Sequence, residues 1–415
     1  MSYLTKISLT TVGLCVAGFS AAVAAETKGP VTDDIGVVVI EPGAPILIGG
    51  YWALSGAEIS LGLDQQRGVE LALDAHEGTL LDHPVALVSE DSQCTAEGGQ
   101  TAATRLATNT DILAVLGPDC SSSAAAAAPI LWNAGMVSIG TSASSPTLTA
   151  ADRPEGLQGF MRTMPNDLAQ GLFDADYIYN VLKCDALASV HDGSPYTEQL
   201  VRSTNSRFTE LGGKVVATEA VTPTDVDMRP MLTNIATAKP CTVYFPIFTA
   251  AGAQLIRQMP EIAGLENATP LAGSAMAAPG FLEAAGDAAV GLKFAKVDLE
   301  SRGSAYPALL EAYVAKYGET PTEVFHANAY DAAQITLAAI EKVAQQDDDG
   351  VLYVGRKALR DALFATAGYE GVSGTVTCGP TGDCAEFKGA VYEWVDSDPS
   401  TFEIGKNPKK VYPES

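Results

Sequence analysis

Two serine-rich segments are the residues best suited to bind a small anion. Leu116–Ala128 (LGPDCSSSAAAAA) leads from an apolar run into an alanine-rich stretch, and Gly140–Pro146 (GTSASSP) follows the next apolar run. Serine is a favoured N-cap and alanine a strong helix former, so a helix should begin near Ser121. Its free N–H groups and positive dipole end suit a carboxylate. Helix capping explains either segment alone, but two segments on consecutive strands favour a ligand site.

The same serines suit a second chemistry, nucleophilic attack in a secreted hydrolase with Ser121 or Ser144 as the nucleophile. That reaction needs a base, and the chain has only four histidines. His191 precedes Asp192, but a His–Asp pair without a nucleophile is not a triad. The sequence also lacks a phosphate loop, a dinucleotide-binding glycine motif, His-Glu-x-x-His and Gly-x-Ser-x-Gly. We therefore expect a binding protein that is not an enzyme and that uses no cofactor and no metal.

The elements around these segments alternate between short apolar runs and helix-like stretches. Runs without polar alternation suit strands buried on both faces, as in parallel sheets. The predicted strands are Ile46–Ala53, Val85–Ser89, Ile112–Gly117, Met136–Gly140, Ala186–Val190, Val215–Ala220 and Thr242–Phe248. The predicted helices are Gln65–Ala75, Gly99–Ala107, Ser121–Leu131, Leu200–Leu211, Ala250–Met259 and Asn328–Ala344. The rhythm restarts midway and so predicts two successive doubly wound α/β units.

Composition and the N-terminus narrow the location and the partners. Hydrophobic residues make up 47% of the 415 residues, and the formal net charge is −25. Such an acidic chain should bind neither nucleic acid nor an anionic membrane. Lys6 precedes the uncharged stretch Ile7–Ala25, which ends in small residues, so we expect residues 1–25 to be a cleaved signal peptide. Cys15 leaves with it, and six cysteines remain in a periplasmic or extracellular protein.

A series of short segments resembles one family of soluble receptors. Their order and spacing are similar to those of the type I periplasmic binding proteins, in the leucine/isoleucine/valine-binding branch that serves branched-chain amino-acid ABC importers. The resemblance covers nearly all of the mature chain and implies two doubly wound α/β lobes, joined by a three-crossover hinge, with the ligand cleft between them. The segments are Ile48–Gly56, Gly68–Leu73, Asp91–Cys94, Gly117–Ser123, Gly140–Thr149, Phe160–Gly171, Val190–Tyr196, Ile256–Gln258 and Ala329–Ala332.

The resemblance also implies lobe boundaries, a ligand class and a partner. Residues 36–163 with 297–372 would form the N-terminal lobe and 164–296 with 373–412 the C-terminal lobe, with crossovers near Met164, Val297 and Ser373. The ligand would be a small carboxylate, most simply a branched-chain amino acid. Hinge closure, for which periplasmic binding proteins are a known example, would capture it for a membrane-embedded ABC permease. We expect a monomer. A sensory module that reports occupancy to a signalling partner shares this fold and is the alternative.

Five cleft residues follow from the resemblance by position. Ser121 matches the serine after the family's cysteine, which holds the ligand's carboxylate. Ser142 and Ser144 match the second carboxylate loop, where hydroxyl and backbone N–H groups bind. From the other lobe, Tyr196 matches a tyrosine that closes over the ligand, and Phe248 stands where a cleft aromatic is usual.

Two further positions bear on the cleft wall. Leu61 stands where some members of the family carry an aromatic residue, so this wall would be more aliphatic here. Trp52 ends the first predicted strand, where it would either add a wall to the cleft or pack in the core.

One departure from the family concerns the ligand's ammonium group. Branched-chain amino-acid receptors pair it with a glutamate of the second lobe, and the matching stretch here, Leu271–Met276 (LAGSAM), has Ser274 or Ala275 at that position. A buried ammonium without a charged partner is costly. Either another acid, such as Asp119 or Asp192, takes this role, or the ligand is an amine-free carboxylate or an amide.

The six remaining cysteines can be paired by strand position, although fifteen connectivities are possible. Two follow strands whose ends lie at the same edge of a sheet, and the resemblance supports their bridge. Two precede the first and third strands of the second unit, which are neighbours in a doubly wound order. Two flank a Gly-Pro-Thr-Gly-Asp turn. The expected pairs are Cys94–Cys120, Cys184–Cys241 and Cys378–Cys384.

Overall fold

The N-terminal segment is anchored to a distant helix. The structure is a computed structural model that describes residues 25–403 and 405–413, so the predicted signal peptide, Ala25 apart, lies outside the described residues. A hairpin of β1 (Glu26–Lys28) and β2 (Val31–Asp33) leads into β3 (Val37–Ile40). The carboxylate of Asp33 accepts hydrogen bonds from the N–H groups of Lys357 and Ala358, at the start of a helix more than 300 residues later. Residues 25–35 are therefore part of the first lobe.

The first sheet has six strands in the order β5-β6-β4-β7-β8-β9, and only the β5–β6 pair is antiparallel. Their apolar runs are buried, and β7 is buried along its whole length. The strands are β4 (Ile46–Trp52), β5 (Thr79–Leu80), β6 (His83–Asp91), β7 (Ile112–Leu116), β8 (Val137–Gly140) and β9 (Phe160–Arg162). The helices between them are α1 (Ile59–Ala75), α2 (Ala96–Thr108) and α3 (Ser121–Asn133).

Helix α1 begins six residues earlier than the sequence predicts, and this matters for the cleft. Its first turn lies against the end of β4, because a Cβ atom on Gly62 would overlap the carbonyl oxygen of Ala53. Only glycine allows this approach. The start of α1 is thereby held at the carboxyl end of the strands, where Glu58 and Leu61 reach the cleft.

The second sheet repeats the arrangement in the order β11-β10-β12-β13-β14-β19-β20, with five parallel strands followed by two antiparallel ones. The strands are β10 (Ala186–His191), β11 (Lys214–Ala220), β12 (Thr242–Phe245), β13 (Thr269–Ala272) and β14 (Lys293–Val297), followed late in the chain by β19 (Gly389–Glu393) and β20 (Lys409–Tyr412). The helices are α4 (Asp167–Asp176), α5 (Pro195–Glu210), α6 (Arg229–Thr237), α7 (Thr249–Gln258) and α8 (Pro279–Ala285).

Between β14 and β19 the chain returns to the first lobe. There α10 packs along α1, and β16 pairs with β3. The elements of this return are α9 (Tyr306–Tyr317), α10 (His326–Val343), β15 (Gln345–Gln346), β16 (Leu352–Gly355), α11 (Arg356–Phe364), β17 (Tyr369–Glu370) and β18 (Thr375–Val376). The fold is thus the predicted one, two doubly wound α/β lobes joined by three crossings of the chain.

The chain crosses between the two lobes three times. The chain leaves the first sheet after β9, near Met164, and leaves the second after β14, at Val297. The third crossing lies later in the chain than Ser373, the position expected from the sequence. Val376 and Cys384 still belong to the core of the first lobe, and β19 joins the second sheet only at Gly389. The apolar burial of these two side chains holds the segment on the first lobe.

The three expected disulfides are confirmed. Their Cα–Cα distances are 5.2 Å for Cys94–Cys120, 5.5 Å for Cys184–Cys241 and 3.7 Å for Cys378–Cys384. The first bridge joins the loops after β6 and β7, which lie on either side of β4. The bridge therefore fixes the start of α3 beside the end of β4.

Both sheets share one topological feature that positions a ligand. In each sheet the first parallel strand lies between the second and the third. In the first sheet the connection that leaves β4 and the one that leaves β7 therefore run along opposite faces of the sheet. The same holds for β10 and β12 in the second sheet. Ligands of open α/β sheets bind in the crevice that this divergence leaves at the carboxyl ends of the strands.

Candidate ligand-binding site

A cavity lies between the carboxyl ends of the two sheets. It contains about 550 Å³ of empty space, part of it open to solvent. Seven of the predicted ligand residues line it together, as the crevice at the strand ends requires. They are Ser121, Ser142, Ser144, Leu61, Tyr196, Phe248 and Ser274.

Two predicted residues do not line this cavity. Trp52 is fully buried in the core of the first lobe, and its indole N–H donates a hydrogen bond to Thr141 at 3.3 Å. Core packing, not a place in the cleft wall, is therefore its role in this structure. Asp192 is also buried, and its Oδ1 accepts hydrogen bonds from the Ser194 N–H and the Thr197 hydroxyl. These bonds tie it to the start of α5, away from the cavity lining.

The first serine loop leaves the start of α3 free to bind an anion. Cys120 is the N-cap residue and provides no side-chain hydrogen bond. The hydroxyls of Ser122 and Ser123 donate instead to the carbonyls of Cys94 and Thr95, at 2.9 and 3.0 Å. Ser121 is the first helical residue and faces the cavity. The serine run therefore does not cap its own helix, and its first N–H groups stay available.

The hydroxyls that face the cavity differ in what they can offer a ligand. Ser121 Oγ accepts the N–H of Ser145 at 3.1 Å, which leaves its proton free to donate. Ser142 Oγ donates to the carbonyl of Asp119 at 2.8 Å. The backbone N–H groups of Ser142 and Ser144 have no acceptor within the part of the chain that the structure describes. One hydroxyl and several N–H groups thus converge as donors.

Ser144 has a buried acid as its partner. Its hydroxyl donates to Oδ2 of Asp167 at 3.0 Å, and the Asp167 N–H donates back to the Ser144 carbonyl at 3.0 Å. Burial raises the pKa of Asp167 to about 7. The reciprocal pair fixes the second serine loop to the start of α4, where the chain has just crossed between the lobes.

A buried arginine supports the same loop from behind. Arg162 is fully buried and donates to the carbonyls of Ala143 and Ser145, both at 3.0 Å. Its charge is paired with Asp383 at 2.6 Å, on the segment that precedes the third crossing. Arg162 lies within a stretch that supports the family resemblance, yet nothing in the sequence distinguishes it from a surface arginine. We identify it as a positioning residue for the serine loop.

The second lobe contributes a wall that is aromatic and polar. The rings of Tyr196 and Phe248 lie 5.6 Å apart, and the Tyr196 hydroxyl lies 3.5 Å from that of Ser274. Gln170 lines the cavity too, and its buried Nε2 donates to no acceptor among the described residues. Nothing in the sequence distinguishes Gln170 as a cleft residue, although it lies in the stretch Phe160–Gly171 that resembles the family.

Three carboxyl groups also line the cavity, and only Asp119 was among the acids considered from the sequence. Burial raises the pKa of Glu58 to about 7, with a further contribution from the charges of Asp119 and Asp192. Burial also raises the pKa of Asp119 to about 6 and raises the pKa of Glu323 above its usual range. The lining contains no lysine or arginine among the residues described. The cavity is therefore acidic, although neither Ser274 nor Ala275, at the position of the receptors' glutamate, is an acid.

The rest of the lining is apolar and comes from both lobes and the crossings. These side chains leave a volume suited to an aliphatic or aromatic group. They are Leu61, Met164, Phe248, Ala275 and Phe325.

Within residues 25–403 and 405–413, no three His, Cys, Asp or Glu side chains are arranged to hold a metal ion. No described helix combines the length and the apolar character needed to span a membrane.

Comparison with known proteins gives consistent matches. A family model described as "Periplasmic binding protein" matches residues 45–399. The Leu/Ile/Val-binding protein BraC3 of Rhizobium johnstonii is 28% identical over 353 residues, which are 85% of this chain and 92% of that protein. The branched-chain amino acid transporter substrate-binding protein LivJ of Streptococcus pneumoniae, solved in complex with isoleucine, matches with a TM-score of 0.72 and 22% identity, over 85% of this chain and 97% of that one. An ABC transporter solute-binding protein from R. palustris, solved in complex with benzoate, matches with a TM-score of 0.71 and 20% identity, over 88% and 94%.

Proposed function

We propose that this chain, which belongs to the periplasmic binding protein family, captures a small carboxylate-bearing ligand for an ABC importer. The relatives and the fold are those of substrate-binding proteins and not of enzymes. An amino acid of the branched-chain type is the ligand that we favour, because BraC3 carries Leu, Ile and Val in its name and LivJ was solved with isoleucine.

The observation that carries the proposal is the set of free donors at the cavity. The Ser121 hydroxyl and the first N–H groups of α3 face the cavity without a capping side chain. The N–H groups of Ser142 and Ser144 add to them. A carboxylate held by several N–H and O–H groups needs no cation, because the charged acceptor strengthens each hydrogen bond.

The apolar lining supports an aliphatic side chain on the ligand. Leu61 and Met164 would contact it from the first lobe and the crossing, and Phe248 and Phe325 would complete the wall. Burying a leucine-sized side chain here would contribute about 1.5–3 kcal/mol to binding.

Hinge closure is the mechanism that we propose for capture. The first lobe would comprise residues 25–163 with 297–384 and the second lobe residues 164–296 with 389–412, because Asp33 bonds to the start of α11 and Cys384 still belongs to the first core. Thr163, just before the first crossing, exchanges hydrogen bonds with Asn328 of the same lobe at 2.8 Å in each direction, which fixes the chain where it leaves the first lobe. The receptor would act as a monomer in the periplasm, exported by its predicted signal peptide, and would deliver the ligand to a membrane-embedded permease.

A thermal-shift screen followed by calorimetry tests the proposal. Leucine, isoleucine and valine should raise the melting temperature, because a ligand that binds only the folded state stabilises it by mass action. Sugars and amines without a carboxylate should not. If no carboxylate shifts the melting temperature while another class of solute does, the proposal is wrong.

A second ligand class has an observation in its favour. Ser274 and Ala275 provide no acid where branched-chain receptors carry a glutamate, and the R. palustris protein was solved with benzoate, which has no amine. An amine-free carboxylate or an amide is therefore the alternative ligand. Benzoate and the deaminated acids belong in the same screen.

A further inference from the structure

We infer that Glu58 and Asp119 bind a cationic group of the ligand, so that the first lobe alone recognises both charged ends of an amino acid. The inference rests on the proposed function of the cleft as a carboxylate site and specifies the rest of the ligand. Branched-chain receptors pair the ammonium group with an acid of the second lobe, which this sequence lacks. The inference assigns that role to acids in the loops after β4 and β7.

Glu58 is held at the cavity without an internal role. It is the N-cap residue of α1, but its side chain makes no capping hydrogen bond. Its carboxyl group forms no ion pair with any residue in the described ranges, and it lines the cavity beside Leu61. The close approach of Gly62 to Ala53 fixes this end of the helix. A half-buried carboxyl group that has no protein partner is free to accept a hydrogen bond or ion pair from a ligand.

Asp119 supplies an independent observation. It is 3% exposed, and its Oδ2 accepts the N–H of Ala53 at 2.8 Å. Its Oδ1 is buried and accepts no hydrogen bond of normal geometry from the described residues, although the residue lines the cavity. Leaving a buried acceptor unpaired is costly, so a donor from the ligand would relieve it. An ammonium group carries three donors and can reach two acceptors at once.

The charges around the cavity favour the same ligand. An amine-free carboxylate would add a negative charge beside Glu58 and Asp119, and no lysine or arginine of the described lining would oppose it. Glu323 differs from these two acids, because the buried Lys296 at the end of the second sheet acts on it with the opposite charge. Among the acids that line the cavity, the unopposed ones are thus the two on the first lobe, next to the serine loops.

The test compares amino acids with their deaminated acids by calorimetry. The probes are leucine, isoleucine, valine and phenylalanine and the corresponding acids without the amine. The variants are Glu58→Gln, Asp119→Asn and the control Glu77→Gln, which removes the same charge from an exposed position just after the other end of α1. Glu58→Gln should weaken the amino acid roughly 10- to 100-fold and leave the deaminated acid unchanged or tighter bound. Glu77→Gln should leave both unchanged.

The outcomes separate this inference from the proposed function. If the wild type binds deaminated acids as tightly as amino acids, or if Glu58→Gln weakens both alike, the inference is overturned and the carboxylate site stands. If no carboxylate of either kind binds, the proposed function fails and the inference with it. Asp119→Asn gives a second reading, because it keeps the shape of the residue and should also weaken only the amine-bearing ligand.

Discussion

The acids of the cavity make ligand affinity depend on pH, and the sign of the dependence identifies the ligand. Glu58 has a pKa of about 7 in the ligand-free protein. A bound ammonium group favours the ionised carboxylate and lowers this pKa. Binding is then strongest above pH 7 and weakens as the pH falls through that value. Asp119, Asp192 and Glu323 are the other acids whose charges interact with Glu58, and Lys296 lies behind Glu323.

The size of the effect follows from the ionised fraction. With a pKa of about 7, about half of the Glu58 side chains are ionised at pH 7 and about 1% at pH 5, so binding should weaken about 50-fold. The ligand's own carboxylate and ammonium stay charged over this range. Binding should also release about half a proton at pH 7 and nearly one at pH 5. Asp119, with a pKa of about 6, adds to the slope at the acidic end.

Isothermal titration calorimetry with leucine at pH 5, 6 and 7, in buffers of different ionisation enthalpy, measures both quantities. Glu58→Gln should flatten the dependence between pH 6 and 7 and reduce the proton release. An affinity that is unchanged across this range would refute the reasoning. An affinity that rises toward pH 5 would also refute it, because it would mean that the cavity acids bind leucine in their protonated form and are not partners of its ammonium group.

Three further outcomes follow from the same contacts. Ser121→Ala should weaken any carboxylate ligand roughly 10- to 100-fold, whereas Ser122→Ala, whose hydroxyl donates to the Cys94 carbonyl, should leave the affinity unchanged in the same titration. Arg162→Met should lower the free energy of unfolding by about 3–5 kcal/mol in denaturant titrations. The control Arg202→Met, at an exposed ion pair, should lower it by no more than about 1 kcal/mol. Similar losses in both variants would contradict the role assigned to Arg162. The melting temperature of the ligand-free protein should fall from pH 5 to pH 8. Glu58, Asp119 and Asp167 have raised pKa values in the folded state, so the folded state binds protons more tightly than the unfolded state. A melting temperature that rises over this range would contradict the pKa directions.

The fold could be predicted because its signals are local. Buried parallel strands need uninterrupted apolar runs, and Ile112–Leu116 and its counterparts stand out between polar loops. The serine loops could be found for a related reason. A doubly wound sheet directs the residues after each strand to one edge, so Ser121 and Ser144 had to meet once their strands were neighbours. The same logic paired Cys184 with Cys241, before β10 and β12.

The remainder of the site depends on side-chain direction, which periodicity does not encode. Glu58 immediately precedes a helix whose start the apolar pattern places six residues too late, so nothing in the sequence marks it as a residue at a helix end. Trp52 and Asp119 lie at neighbouring strand ends, yet one turns into the core and the other lines the cavity. Gln170 lies on α4 beyond a crossing, where only the packing of the two lobes brings it to the cleft. The late third crossing depends on the burial of Val376 and Cys384, two residues in an otherwise irregular stretch.

The distribution of charge in the cleft also explains how closure can depend on the ligand. The chain has a formal net charge of −25, and under the proposed function it would hold the ligand's carboxylate with hydroxyl and N–H groups and its ammonium group with acids of the same lobe. A zwitterion would satisfy both sets while the lobes are apart. Tyr196, Phe248 and Gln170 line the cavity from the second lobe and would contact such a ligand only after closure. Because a ligand shifts a conformational equilibrium only by its differential contacts, the contacts made by the second lobe would supply the free energy of closure.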